Sequence, residues 1–418
     1  MKQWWRTYSA WGTVTILIVT ASCYEEIGFD TQNLENALII ETIISNENKK
    51  QEVLLSRSHG FSDTIMSATP ERNAQVFVET DTETIPFEEV EDGVYTSVEP
   101  FAAQPNVNYT LRIQTNNGEV YSSTPRQLTT PSSLERLYAE REVGNNGQPV
   151  LSIFVDSNAP DNTTNYYRYQ FEETYKIVAP KYSRFNLIIT DPRWAFCDVE
   201  LFDKEVNKEI CYNTVRNTEV LQISTEGLNT NEVSRFKVRQ IDSDNYIIGQ
   251  RYSIEVKQYT QSSDAYFYFD RLLDFQEQPN TFSQVQPGYL TGNVQSSDSE
   301  LLTIGFFDVS YVTSQRIFFN YVDFFPDVDI PSQVRFCDVY APIHYDKYSF
   351  PPFEDCGPLI LEDLPRDRYL FFEINLDQEF YDDPPFFFPL DGPYDLVPKE
   401  CGDCTLFGSI EVPEFWVE

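Results

Sequence analysis

The sequence predicts a mainly β protein built from two antiparallel units, and three observations support this fold class. Apolar and polar residues alternate in short runs about ten residues apart, which is typical of half-buried strands joined by tight turns. An Asn117-Gly118 pair separates two such runs, as it does in many β-hairpins. A helical period stands out in one segment, which ends before Pro279.

Residues 33–130 predict an immunoglobulin-like β-sandwich. Tyr109-Thr110-Leu111 is similar to the tyrosine corner of such folds, in which the tyrosine hydroxyl binds a nearby loop. The Asn117-Gly118 turn follows it, and both residues tolerate a positive φ. The predicted strands of this unit are Leu38–Ile44, Val53–Leu55, Val76–Val78, Gly93–Tyr95 and Tyr109–Ile113.

Residues 131–418 predict a larger antiparallel β-rich domain with one short helix and long Pro/aromatic loops. The turn-rich segment Thr124–Ser133 is the predicted hinge between the two units. Ser263 and Asp264 predict the capped, acidic start of the helix, which we expect to pack across a sheet. Its predicted apolar face consists of Tyr266, Phe269, Leu272 and Leu273. Further strands are predicted at 166–171, 185–189, 219–223, 236–241, 252–256, 301–307 and 317–321.

Prolines and aromatic residues interleave in the region from about 320 to 400. Proline disfavours central strands and helix interiors, so we expect ordered loops or edge segments there. Two interpretations stay open: stiff anchors that dock on a partner, or a long loop that folds its own phenylalanines into the second domain. The candidate partner-binding residues are Phe350, Pro351, Pro352, Phe353, Pro384, Pro385, Phe386, Phe387 and Phe388.

The charge balance excludes one large class of function. The chain has 66 acidic and 30 basic residues, which gives a formal net charge of −36. Nucleic-acid binding normally requires a basic surface that releases counterions from the phosphates. We therefore expect no nucleic-acid partner.

The N-terminus predicts export and lipid anchoring. Residues 1–22 have a basic start and an apolar run, as in a signal peptide, and residues 23–32 would form a lipidated tether. Thr20-Ala21-Ser22-Cys23 resembles a bacterial lipoprotein cleavage box, so Cys23 is the predicted lipidation site and the membrane contact. Glu25 and Glu26 resemble the signal for export to the outer leaflet, which predicts an outer-membrane, cell-surface location. An ordinary secretory leader and a plain acidic tether are the alternatives.

Cysteine counting predicts disulfides. Apart from Cys23, an even number of cysteines remains, and in an exported chain this suggests bonding. Proximity along the chain favours three local pairs, although pairing stays open and a zinc site at Cys401 and Cys404 with another cysteine pair is the alternative. The favoured pairs are Cys197–Cys211, Cys337–Cys356 and Cys401–Cys404.

Several motifs in their order along the chain resemble the Bacteroidota family called domain of unknown function 4249. The resemblance covers nearly the whole mature chain, and the family has no established biochemical activity. It implies an outer-membrane lipoprotein often encoded beside a TonB-dependent transporter, and hence an outer-membrane β-barrel partner. The motifs are Cys23 with its acidic followers, Tyr109 with Asn117-Gly118, residues 166–169, 287–294, 304–307 with Arg316, 401–404 and 413–416.

The sequence contains no motif that predicts catalysis. No phosphate-binding glycine loop, His-Glu-x-x-His or Gly-x-Ser-x-Gly is present, and we expect no enzyme, no cofactor and no metal. The two histidines, His59 and His344, lie far apart in sequence. The expected function is that of a non-catalytic accessory subunit of a transporter or assembly complex. A surface glycan- or peptide-binding lipoprotein is the alternative, and a carboxylate-dependent glycoside hydrolase ranks third.

Overall fold

The computed structural model of the 418-residue chain is mainly β, with several antiparallel sheets and few short helices, which confirms the predicted fold class. It describes residues 36–58, 68–159, 164–191, 198–228, 230–277, 292–298, 301–342, 364, 366–376, 380–383, 386–389 and 392–418. Cys23, His59, His344 and the leader therefore lie outside the described residues. Among the residues described, no helix is long and apolar enough to cross a membrane.

Ten strands form the first sheet, which is sandwich-like. They are β1 (Leu38–Ser45), β2 (Glu52–Arg57), β3 (Thr69–Pro70), β4 (Gln75–Thr80), β5 (Thr84–Glu91), β6 (Val94–Ser97), β7 (Tyr109–Gln114), β8 (Val120–Ser123), β18 (Val294–Ser296) and β19 (Thr303–Ser310). The order is β18-β8-β7-β4-β5-β6-β2-β1-β19, and β3 pairs with β2. Alternate side chains of β1, β2, β4 and β7 are buried, so the period-2 pattern of the sequence builds this core.

Two local predictions for this unit are confirmed. The Tyr109 side chain is buried, and its hydroxyl accepts a hydrogen bond from the backbone N–H of Gln104 at 2.8 Å. This is the geometry of a tyrosine corner. The hairpin between β7 and β8 turns at Gly118, where φ is 88° and the N–H donates to the Thr115 carbonyl at 2.9 Å. Asn117 is not among the positive-φ residues, so the glycine alone supplies that conformation.

The first sheet also recruits two strands from far along the chain. β19 pairs with β1 in parallel, with Leu38 opposite Thr303 and Ser45 opposite Ser310. Gly305 makes this pairing possible, because φ is 141° there and a Cβ would collide with the Ile40 carbonyl oxygen. The division into domains near residue 130 stays a prediction, and the pairing of this sheet crosses that position.

Two sheets pack face to face to form the second sandwich. The three-stranded sheet has the order β16-β10-β9, and the five-stranded sheet has the order β14-β11-β17-β20, with β15 also paired to β11. The strands are β9 (Ser133–Val143), β10 (Pro149–Asn158), β11 (Tyr166–Val178), β14 (Ile210–Arg216), β15 (Leu221–Ser224), β16 (Glu232–Asp242), β17 (Arg251–Thr260) and β20 (Val312–Asn320). The core between them is rich in tyrosine, isoleucine and valine.

Three chain segments connect the sandwiches, from β8 to β9, from β17 to β18 and from β19 to β20, and they are hydrogen-bonded to one another where they meet. Thr129 donates its N–H to the Val309 carbonyl at 3.1 Å, and its hydroxyl accepts from the Tyr311 N–H at 2.8 Å. Thr260, at the end of β17, donates its N–H to the Tyr311 carbonyl at 3.0 Å. The predicted hinge is therefore one of three adjacent crossings held together by hydrogen bonds of Thr129, Thr260 and Tyr311.

The predicted helix is present as α1 (Ser263–Glu277), but its cap and its buried face differ from the prediction. The cap is Ser262, whose hydroxyl accepts from the Ala265 N–H at 3.3 Å. Ala265 and Tyr268 are the fully buried residues, whereas Tyr266 is only half-buried. The helix thus turns its 265/268/269/272 stripe inward, because Tyr268 packs on Phe306 of β19 at 5.5 Å between ring centroids.

The remaining elements are short. The two-stranded sheets pair β12 (Phe185–Asp191) with β13 (Asp198–Asp203), β21 (Tyr369–Ile374) with β24 (Tyr394–Pro398), and β22 (Phe380–Asp383) with β23 (Phe386–Pro389). The short helices are α2 (Tyr321–Phe324) and α3 (Lys399–Gly402). Since each strand of a two-stranded sheet is an edge, the expectation of edge segments in the Pro/aromatic region is met at β22 and β23.

Replacing Tyr109 with Phe should lower the free energy of unfolding by about 1–2 kcal/mol, because the substitution removes the acceptor of the Gln104 N–H. Urea denaturation of the purified protein measures the change. The control is Tyr166→Phe, whose hydroxyl binds the exposed Glu226 carboxylate and should contribute less than about 0.5 kcal/mol. Equal effects of the two variants would contradict the corner's structural role.

Candidate functional site

The sequence-predicted partner-binding residues are only partly described. Phe350, Pro351, Pro352, Phe353, Pro384 and Pro385 lie outside the described residues. Phe386, Phe387 and Phe388 lie in β23, which pairs with β22, and this fixes their backbone only. Their role in partner binding stays a prediction. Among the described residues, the candidate site lies on the outer face of the five-stranded sheet, which is the face turned away from the three-stranded sheet.

The cysteine pairing predicted from proximity is wrong. Cys211 bonds to Cys404 and Cys337 bonds to Cys401, with Cα–Cα distances of 5.6 and 5.7 Å. Cys401–Cys404 is excluded as a pair because each sulfur already has a distant partner. Cys197 and Cys356 lie outside the described residues. Both bridges tie the C-terminal region to earlier parts of the chain, and the Cys211–Cys404 bridge fixes it to the start of β14.

The C-terminal strap, residues 404–418, runs from the edge of the five-stranded sheet onto its outer face. Ser409 exchanges backbone hydrogen bonds with Tyr212 of β14, with N···O distances of 2.7 and 2.8 Å. At the far end, the Glu418 carboxylate lies 2.8 Å from Lys176 Nζ. The strap is therefore fixed covalently where it begins and by an ion pair where it ends.

A buried carboxylate orients the start of the strap. Asp403 is 2% exposed and accepts hydrogen bonds from the Thr405 N–H at 2.9 Å and from Lys208 Nζ at 2.9 Å. Burial acts to raise the pKa of Asp403, but the hydrogen bonds from Thr405 and Lys208 outweigh it and hold this pKa below its usual range. The ionised carboxylate thus caps the turn that carries Cys404.

Beneath the strap, four charged residues form a row across the four strands β14, β11, β17 and β20. The register places Arg216, Glu172, Glu255 and Arg316 side by side. Arg216 Nε lies 3.0 Å from Glu172, and Arg316 Nη2 lies 3.3 Å from Glu172 and 3.4 Å from Glu255. Because Glu172 and Glu255 are direct cross-strand neighbours of like charge, Arg316 offsets their repulsion.

Aromatic rings of the strap cover the next part of this face. The Trp416 ring lies 5.0 Å from that of Tyr212 and 5.7 Å from that of Phe318, measured between centroids, and these two belong to opposite edge strands. Between those strands, Thr174 and Ser253 are small and fully buried. Phe415 adds a second contact, since the Arg316 guanidinium lies 3.6 Å above its ring. The strap is thus packed on the sheet and not merely adjacent to it.

A cavity of about 590 Å³ opens where the strap leaves the edge of β14. Tyr212, Asn213 and Thr214 line it from the strand. The strap contributes Gly408, Ser409 and residues 411–414. The volume lies within the usual range of ligand sites. No sequence motif marks this cavity, because it forms between residues about 200 positions apart.

A second polar cluster lies at the junction of the sandwiches, next to α1. Asp308 is fully buried, and burial raises the pKa of its carboxyl group. Ser310 donates to this carboxylate at 3.2 Å and Ser262 at 3.4 Å. Arg168 packs its guanidinium 4.2 Å from the Phe269 ring centroid, and burial lowers the pKa of Arg168. These groups join α1 to both sandwiches and form a structural cluster.

Within the described ranges, no group of three or more His, Cys, Asp or Glu residues is arranged to hold a metal ion. Cys401 and Cys404, the cysteines of the alternative zinc interpretation, are both bonded in disulfides.

Comparison with protein families gives one match. The model of the family described as "Domain of unknown function (DUF4249)" matches residues 24–316. The chain belongs to this family. The DUF4249 match includes the first sandwich and nearly all of the second, and it ends inside β20. The strap lies beyond the matched residues. The comparison with curated proteins finds no match.

Peptide mapping of the non-reduced protein should recover Cys211 linked to Cys404 and Cys337 linked to Cys401. Digestion without reductant, followed by mass spectrometry of the linked peptides, provides this measurement. Recovery of a Cys401–Cys404 or Cys197–Cys211 peptide as the main species would contradict the pairing.

Replacing Arg316 with Met should lower the free energy of unfolding by about 2 kcal/mol, because two neighbouring carboxylates lose their shared cation. Chemical denaturation at two salt concentrations measures the loss. The control is Arg72→Met, which removes an exposed ion pair with Asp92 and should change stability by less than about 0.5 kcal/mol. An Arg316→Met variant as stable as this control would show that the row contributes little.

Proposed function

We propose that this protein is an outer-membrane, surface-exposed lipoprotein that acts as a non-catalytic accessory subunit of a TonB-dependent-type transporter or an assembly complex. Lipidation of Cys23 would hold it on the membrane. The sequence supports this proposal through the lipobox, the acidic residues after it and the family to which the chain belongs.

The position of the anchor relative to the first sheet supports the proposal. From Cys23 to Leu38 the chain can extend to about 50 Å at about 3.3 Å per residue. It then enters β1, which pairs with β2 on one side and with β19 on the other. A lipid at Cys23 would therefore be connected, through this tether, to an interior strand of the first sheet.

The junction is the observation that carries the proposal. β19 belongs to the first sheet, and after Tyr311 the same chain continues as β20 of the second sandwich. The Glu47 carboxylate, in the loop after β1, lies 3.0 Å from Lys257 Nζ of β17 and strengthens this connection. A first sheet joined in this way would hold the second sandwich in one orientation relative to itself, so that an anchored accessory subunit would meet a membrane partner as a single unit.

A second candidate function, surface peptide binding, is favoured by a different observation. The cavity between β14 and the strap lies beside an edge strand, and edge strands can bind extended peptides through backbone hydrogen bonds. This function and the accessory role can coexist, because they use different properties of the chain.

Co-purification from gently solubilised native outer membranes tests the accessory role. An affinity tag inserted after Asn146 would lie in the exposed turn between β9 and β10, away from the strap, whose Glu418 contacts Lys176. We expect a β-barrel protein in stoichiometric amount, identified by mass spectrometry.

The Cys23→Ala variant is the control for anchoring and should yield an uncleaved or soluble chain without the partner. If the tagged, lipidated protein migrates as a free monomer in native gels while barrel proteins migrate elsewhere, the accessory role is wrong. If Cys23→Ala stays attached to the membrane, lipidation is not the anchor.

A further inference from the structure

The edge strand β14 carries backbone groups that face away from its sheet. The Asn217 N–H donates to the Phe171 carbonyl of β11 at 3.0 Å, which sets the phase of the strand. Residues two apart in a strand point their N–H and C=O groups to the same side. Since the groups of Asn217 face β11, those of the even-numbered residues Tyr212, Thr214 and Arg216 face outward.

The strap satisfies only one of these three residues. Ser409 takes both outward groups of Tyr212 through its antiparallel bridge. Among the described residues, the outward N–H and C=O of Thr214 and Arg216 have no backbone partner, and both residues are exposed. If this antiparallel bridge continued, Phe407 would lie opposite Thr214, but the Phe407 N–H donates instead to the Cys404 carbonyl at 2.9 Å. The cavity lies between this part of β14 and the strap.

The opposite edge of the same sheet is partly covered by β9 and by the loop after β1. There, the Gln315 side chain of β20 donates to the Leu134 carbonyl of β9 at 2.6 Å. The Asn46 side chain accepts from the Val312 N–H at 2.7 Å. An edge strand that is left open is a template for pairing with another chain. Among the described residues, β20 is therefore contacted by β9 and by Asn46, although the outward backbone groups of Ser314, Arg316 and Phe318 have no backbone partner, whereas β14 beyond Tyr212 borders the cavity.

The walls of the cavity favour a basic ligand. Glu411 and Glu414 line it on the strap side, are exposed, and form no ion pair with any described residue. Val412 is 61% exposed between them, and Val215 is 42% exposed on the other face of β14. A strand added here would place alternate side chains beside the two carboxylates and beside the exposed valine of the strand.

We propose that β14 binds an extended peptide segment with alternating basic and apolar residues, which pairs antiparallel with Thr214 and Arg216. Antiparallel pairing continues the orientation that Ser409 already adopts opposite Tyr212. Residues directly opposite in an antiparallel pair have their side chains on the same face. The basic side chains therefore lie on the face of Thr214, and the one opposite Thr214 is directed toward Glu411 and Glu414. The basic side chain two positions away shares its face with the Arg216 guanidinium, whose charge is offset by Glu172 at 3.0 Å. This inference deepens the second candidate function and is independent of the accessory role.

The probe is a fluorescein-labelled eight-residue peptide that alternates lysine and valine, and its binding to the full-length protein in detergent is followed by fluorescence anisotropy. Two further peptides carry N-methyl groups on the lysine amides or on the valine amides, with the same charge. We expect N-methylation of the lysines to weaken binding at least about tenfold, which corresponds to about 1.4 kcal/mol. Methylation of the valines should change the affinity much less, because those amides face away from β14.

Thr214 offers a matched pair of variants. Thr214→Pro removes the outward N–H without removing a ladder hydrogen bond, which edge strands tolerate. Thr214→Val also loses the hydroxyl that binds Thr174 but keeps the N–H. We expect Thr214→Pro to bind the lysine-valine peptide at least about tenfold more weakly than Thr214→Val does. Equal unfolding midpoints of the two variants would verify that both are folded.

Charge is tested with two double variants of equal net charge. Glu411→Lys with Glu414→Lys should weaken binding about tenfold, because both carboxylates line the cavity. Glu99→Lys with Glu135→Lys changes two exposed carboxylates elsewhere and should have less than about a threefold effect at 0.3 M salt, where the Debye length is short.

Hydrogen exchange of the backbone amides locates the bound peptide on the protein. The amides of Thr214 and Arg216 should exchange more slowly when the peptide is bound. Equal affinity for the three peptides, or unchanged exchange at β14, would overturn strand addition and indicate binding by charge alone. Concentration-dependent dimers in the absence of peptide, lost in Thr214→Pro, would also overturn the inference and assign the edge to a second copy of this chain.

Discussion

The parallel pairing of β1 with β19 is the constraint on which the rest of the structure depends. It inserts residues 303–310 into a sheet that otherwise consists largely of strands between Leu38 and Ser123. The next strand, β20, then begins beside the junction and enters the second sandwich. A parallel pair requires a long crossover. Here that crossover contains the strands β9 to β17 and helix α1, so nearly all of the second sandwich lies within one connection of the first sheet.

The junction between the sandwiches and the C-terminal strap are both held against the five-stranded sheet. The crossings at Thr129 and Tyr311 lie side by side, and both lead from the first sheet into the second sandwich, where β9 and β20 contact each other through Leu134 and Gln315. The five-stranded sheet packs one face on the three-stranded sheet, and its outer face carries the charged row of Arg216, Glu172, Glu255 and Arg316. The aromatic strap partly covers this face, and the ion pairs of Arg316 and the hydrogen bond of Thr174 offset the cost of burying its polar side chains. The strap makes one backbone bridge with β14, at Tyr212, and among the described residues the backbone groups of Thr214 and Arg216 beyond it have no backbone partner.

Local features were predicted well because their causes are local. Tyr109 and Gly118 occupy their expected corner and turn because each depends on residues within about five positions. The helix near residue 263 was predicted for the same reason. Its inward face was not predicted, because Tyr268 is buried against Phe306 and the sequence contains no sign of that contact. Likewise, nothing in the sequence near Thr214 or Glu411 indicates the cavity between them.

By itself, the sequence determined the mainly β fold, the short strands and turns, the DUF4249 resemblance and the expectation of disulfides, because periodicity, turn chemistry and motif order are properties of neighbouring residues. Only the tertiary structure decided which cysteines bond, which distant strands complete the first sheet and which edge is left open. Cys211 and Cys404 are 193 residues apart, and proximity along the chain favoured a wrong partner for each. The physical reason is that the free-energy cost of closing a loop rises only slowly with the length of the loop. The packing of whole sheets therefore selects the partners, and distance in sequence does not.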